Sequence, residues 1–143
     1  MLVRTESGPT LVVCSTCRLS PTERENACGR RGGELFADAL ERALEDHPCA
    51  ERLRIERMPC LFACSRHCTV QIRCEGKMGY LLGGFSATGS DTGALLDYVH
   101  AYLASPEGIV PYLDWPEGVK GHFITRMPPE GFVWRRDDPP PVS

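Results

Sequence analysis

No run in this chain approaches the roughly 18 apolar residues that a membrane-spanning helix needs, and no charged segment followed by an apolar stretch opens it. Both absences predict a soluble, cytoplasmic protein with no membrane partner. Nor is there an excess of positive charge: 16 Lys and Arg stand against 19 Asp and Glu, for a net charge of −3. Basic residues come as local pairs such as Arg30-Arg31 and Arg135-Arg136 and not as a stripe, which argues against nucleic-acid binding. The chain also lacks an internal repeat, a Gly-rich phosphate loop following a strand, and any recognisable catalytic set of Ser, Asp and Glu. It is expected not to be an enzyme.

What it has in quantity is cysteine, eight in 143 residues. At this length folding buries roughly 68% of the surface of the unfolded chain, so a core forms without cross-links. In a reducing compartment, clustered cysteines serve as metal ligands or redox groups in preference to structural bridges.

The β-branched run Thr10-Leu11-Val12-Val13 predicts a buried strand with Cys14 at its end. Residues 18–31 have no apolar period and read as a long loop, of the kind that usually serves a site. Leu35, Phe36, Ala39, Leu40, Ala43 and Leu44 recur at helical spacing between Gly32-Gly33 and Pro48. Residues 53–58 alternate and form a second strand that delivers Cys60 at its exit. Residues 69–74 and 78–82 form a hairpin around Glu75-Gly76-Lys77. Ser90 or Asp91 caps a last helix with Leu95, Leu96, Val99 and Leu103 inward. The order is βαβ then ββα, an α/β thioredoxin-like fold over residues 9–106 with a mixed sheet. An irregular Pro- and Gly-rich C-terminal extension, residues 107–143, follows. Its aromatic residues, Trp115 and Trp134 included, are expected to pack on the domain or on a partner, and residues 137–143 to be disordered.

Cys14-Ser15-Thr16-Cys17 and Cys60-Leu61-Phe62-Ala63-Cys64 each follow a strand. Short spacers let two thiolates reach one metal ion or two adjacent irons, while the intervening amides donate hydrogen bonds to sulfur. Arg66, His67, Arg18, Arg30 and Arg31 are placed to supply the positive potential that thiolates need. Between them Cys14, Cys17, Cys60 and Cys64, with Cys68 a further cysteine in the second segment, could supply four thiolates. Cys49 and Cys74 read as inert packing residues.

These residues resemble two groups of proteins. Cys14, the run Ala27-Cys28-Gly29-Arg30-Arg31-Gly32 and Pro59-Cys60-Leu61-Phe62-Ala63-Cys64 resemble the thioredoxin-like [2Fe-2S] ferredoxins. More closely, Val13-Cys14-Ser15-Thr16-Cys17-Arg18, the run from Cys60 to Thr69 and Gly79-Tyr80-Leu81-Leu82-Gly83-Gly84 resemble a bacterial family of predicted metal-binding proteins, domain of unknown function 1636. Members of that family often lie near cobalamin-biosynthesis genes, which hints at a pathway. The ferredoxin pattern implies Cys28 as the fourth ligand, whereas the closer family features Cys17 and Cys68. Cys17 is favoured, because a Cys-x-x-Cys chelate orders less loop, and Cys28 is kept as the alternative. Where the ferredoxins carry Gly-Pro this chain has His67-Cys68, which sets Cys68 near Cys17 as a spare ligand, an outer sulfur or a disulfide partner.

The resemblances imply a [2Fe-2S] protein in electron transfer or redox sensing, with a redox partner protein and a homodimer as its associations. A zinc site of four cysteines, or a metal-handling protein without redox activity, is the alternative. A thiol-disulfide enzyme using Cys14 and Cys17 ranks last, because the proline opposite the Cys-x-x-Cys pair is missing.

Overall fold

The computed structural model describes residues 1–63 and 65–135; Cys64 and the tail expected to be disordered lie outside the described residues. The β-branched run near the start forms β1 (Thr10–Cys14), which extends one residue further than its pattern and so ends on the cysteine itself. Then come α1 (Gly32–Glu45), β2 (Arg54–Met58), β3 (Val70–Arg73), β4 (Gly79–Leu82), α2 (Gly89–Ala104) and β5 (Phe123–Met127). The sheet runs β2-β1-β3-β4-β5. Strands β1 and β2 are parallel and the other neighbours antiparallel. This is the mixed α/β arrangement the element order predicts.

Burial explains why the elements stack as they do. Leu11, Val13, Val70, Ile72, Tyr80 and Leu82 line one side of the sheet and join Phe36 and Leu40 of α1 with Leu95, Leu96 and Val99 of α2 in one buried cluster. Each such side chain contributes about 1.5–3 kcal/mol relative to exposure. Helices α1 and α2 pack on each other, so the connections on either side of β2 are held close to the sheet.

Beyond one-residue shifts at the strand ends, a helix start and an added strand differ from the sequence expectation. Helix α2 starts at Gly89, because the Thr88 hydroxyl, not Ser90 or Asp91, accepts the Asp91 amide at 3.3 Å. Asp91 instead reaches back to the Ser86 amide at 2.7 Å. The extension carries a strand, β5, which pairs with β4 through a register shift at Leu81/Leu82. Its anchor is Phe123, whose ring lies 5.4 Å from Tyr80, 5.2 Å from Tyr98 and 4.4 Å from Trp115.

An ion-pair network ties α1 to edge strand β2. Asp38 accepts from Arg57 at 2.7 Å and from Arg30 at 2.5 Å, and Arg57 also meets Glu41 at 2.9 Å. The Arg57 hydrogen bond first, then Arg30, holds the Asp38 carboxyl below its usual value of 3.8. A folded-state value below the unfolded one contributes stability above about pH 4 that is lost as pH falls through the folded value. Asp38→Asn should therefore cost about 1 kcal/mol at neutral pH. In urea melts at a series of pH values, the gap to the parent protein should close as the acid limb is reached.

Candidate metal centre

Parallel pairing decides where the cysteines go. Cys14 stands opposite Met58 at the shared end of β1 and β2, so the chain leaves both strands side by side. The Ser15 amide and hydroxyl continue the ladder to the Met58 carbonyl at 2.9 and 3.2 Å. One residue on, the Thr16 hydroxyl donates to the Pro59 carbonyl. Cys-x-x-Cys and the Cys60 segment are thereby stitched together before any metal is considered.

Helix α1 closes the site from below. The Gly33 amide donates to the Cys17 carbonyl at 3.1 Å. A Cβ built on Gly33 would lie 1.9 Å from the Cys14 carbonyl oxygen, and one on Gly32 would lie 2.2 Å from that of Arg18. Only glycine lets the positive end of this helix come so near the thiols, where its dipole favours thiolate.

Cys14, Cys17 and Cys60 line one cavity of about 360 Å³ together with Arg18, Arg24, Arg31 and Arg66. Among the described residues, no carboxylate lines it. Cys14 is buried, Cys17 half-buried and Cys60 exposed. The Cys60 sulfur accepts the Phe62 amide at 3.3 Å. Cys17 lies 3.2 Å from the Thr69 hydroxyl, and Cys14 lies 3.8 Å from both the Thr16 hydroxyl and the Pro59 carbonyl.

Cys14 and Cys17 shift each other in opposite directions. A hydrogen bond from Cys17 pulls the Cys14 thiol down to about 5 against the opposing effect of burial, and the same contact pushes Cys17 up. The pair thus carries one negative charge at neutral pH, which the surrounding guanidiniums favour. Among the described residues, no three Cys, His, Asp or Glu side chains converge tightly enough to grip a single ion. The three sulfurs flank an open cavity instead.

The other sequence candidates fall elsewhere. Cys28 is exposed on the long loop, where its amide bonds Asn26 Oδ1 at 3.0 Å, and it does not line the cavity. Cys68 is buried with φ 47°, and its sulfur lies 3.8 Å from the Arg18 carbonyl, beneath the cysteine loop. Burial, then the Cys14 charge, pushes its thiol up to about 12. Cys64 lies outside the described residues. Arg30 is spent on Glu34 and Asp38 and does not face the site. Burial first, and His122 second, hold the His67 imidazole below its usual value, so it adds no cation at neutral pH. Cys49 is buried and Cys74 half-buried, and both pack with the core.

Arg24, Thr16 and Thr69 were not singled out from the sequence. Thr69 was legible only through the sheet: its carbonyl accepts the Cys14 amide at 3.0 Å, which turns the start of β3 toward the Cys-x-x-Cys loop.

A solved thioredoxin-like [2Fe-2S] ferredoxin from Aquifex aeolicus has the same fold. It is 18% identical, with a TM-score of 0.53, over 90% of this chain and all of that one. The family described as protein of unknown function (DUF1636) matches residues 11–129, and the chain belongs to that family. No curated protein matches the sequence.

Proposed function

We propose that this chain is a [2Fe-2S] protein of electron transfer or redox sensing that performs no substrate chemistry of its own. Cys14, Cys17, Cys60 and Cys64 hold the irons. The observation that carries the reading is the cavity at the joint end of β1 and β2, where thiols from two chain segments meet among four arginines and, among the described residues, no carboxylate. Its donor set fits the group: sulfur ligands, an amide on Cys60, a hydroxyl on Cys17, and cations to balance an anionic centre. Cys17 is preferred to Cys28 because it lines the cavity and Cys28 does not. The likeness to a ferredoxin of the same fold supports the same reading. When bound, such a cluster accepts and returns one electron.

Anaerobic purification with iron, zinc and sulfide analysis tests the proposal. Iron and inorganic sulfide in about equal amounts, with visible absorption, are expected. A colourless protein holding zinc alone would overturn it.

Thr69 tunes the centre in this account. With Cys17 as thiolate its hydroxyl must donate, and a hydrogen bond to sulfur favours the more negative, reduced state. Thr69→Val should lower the midpoint potential, and Thr69→Ser should restore it, in a potentiometric titration followed by absorbance. Equal potentials for the two variants would remove Thr69 from the account.

A further inference from the structure

Of the four arginines that line the cysteine cavity, Arg31 meets Glu25 at 4.0 Å. Arg30, Arg54 and Arg57 are all engaged with carboxylates. Arg18, Arg24 and Arg66, which rim the cysteine cavity and are exposed, make no ion pair among the described residues. In a chain of net charge −3, this cavity is thus lined by four guanidiniums and, among the described residues, by no carboxylate. From the same rim projects Phe62, 96% exposed. Its φ of 60° is a left-handed backbone that a bulky residue adopts at a cost. That conformation lets the Phe62 amide reach the Cys60 sulfur while the ring stands in solvent beside an exposed ligand candidate. Compensation of thiolate charge accounts for nearby cations but not for an aromatic ring held outward.

We propose that this face docks an acidic electron-transfer protein whose own cofactor edge lies in an apolar surround, with Phe62 as the anchor and Arg18, Arg24 and Arg66 as the cationic rim. The inference rests on the redox reading of the site and adds the sign and shape of the partner. An aromatic anchor inside a charged ring is the arrangement that concentrates binding energy, and the charges set encounter rate and specificity.

Flavodoxin, strongly acidic with an exposed flavin edge, serves as the probe, and basic cytochrome c as the control, in calorimetric titrations of the full chain whose iron and zinc contents are measured. Flavodoxin should bind, with affinity falling about tenfold or more from low to high salt, and cytochrome c should not. Phe62→Gly tolerates the left-handed backbone and keeps the amide on Cys60, yet should weaken binding about tenfold. Arg18→Glu combined with Arg66→Glu should abolish it. Unchanged affinity in either variant, or equal binding of cytochrome c, would overturn the proposal. A zinc-loaded chain that binds flavodoxin would sink the redox reading and leave the surface; a cluster-loaded chain that ignores flavodoxin would do the reverse.

Discussion

Replacing Cys14 or Cys60 by serine should strip the protein of iron and visible colour, whereas Cys49→Ala and Cys74→Ala should leave both in place. Loss of an outer partner of a metal ligand typically costs about 10–100-fold in affinity. Loss of a ligand from a two-segment site costs more, because the remaining sulfurs must hold the core from one side. Cys14 is the more demanding position, being buried where β1 ends and in contact with Cys17. Serine there is close in size, so secondary structure should survive while bound iron falls by at least about tenfold. Cys64→Ser is expected to behave like Cys60→Ser. Cys17→Ser should bleach the protein and Cys28→Ser should not, since only Cys17 lines the cavity. Iron per chain and the visible spectrum, read on each variant beside its circular dichroism, separate lost ligands from lost fold.

The second large effect comes from one methyl group. Gly33→Ala would drive a Cβ to 1.9 Å from the Cys14 carbonyl oxygen and 3.0 Å from the Cys17 amide nitrogen, both backbone atoms with no rotamer to yield. Overpacking against softer neighbours costs about 1–3 kcal/mol, so displacement of the helix start or the cysteine loop should cost about 3 kcal/mol or more and disturb the site with it. Gly93→Ala is the matched control. It lies within α2 with nothing inside 4 Å of an added Cβ, and alanine there should stabilise by about 0.5–1 kcal/mol. Opposite shifts in thermal midpoint for the two variants are expected; similar shifts would contradict the close approach of α1 to the loop.

Much of this was legible in the residues. The helix period from Leu35 to Leu44 and the β-branched strands before Cys14 and around Val70 fixed the element order, and a parallel β1-β2 pair follows from a helix-sized connection. That pairing alone brings Cys14 and Cys60 to one end of the sheet. Strand β5 was hidden because its few apolar residues sit in a Pro- and Gly-rich stretch, and its anchor, Phe123, is held by rings from β4, α2 and the extension itself. The neighbouring pair Arg30-Arg31 reads as one basic patch, yet Arg31 lines the site while Arg30 turns to Glu34 and Asp38. No local pattern distinguishes two adjacent arginines on a loop. Thr69 is silent for a similar reason: a hydroxyl at the start of a strand acquires meaning only when the register of β3 on β1 sets it 3.2 Å from Cys17. Gly32-Gly33 announced a helix start but not why both must lack a side chain, which depends on the carbonyls of Cys14 and Arg18 beneath them.

Electron paramagnetic resonance of the anaerobically isolated, dithionite-reduced chain tests the proposed [2Fe-2S] centre most directly. A spin-one-half signal from a coupled iron pair, present in the parent protein and absent from Cys14→Ser and Cys60→Ser alike, is the predicted result. A silent spectrum from metal-replete protein, or a signal that survives both substitutions, would contradict it.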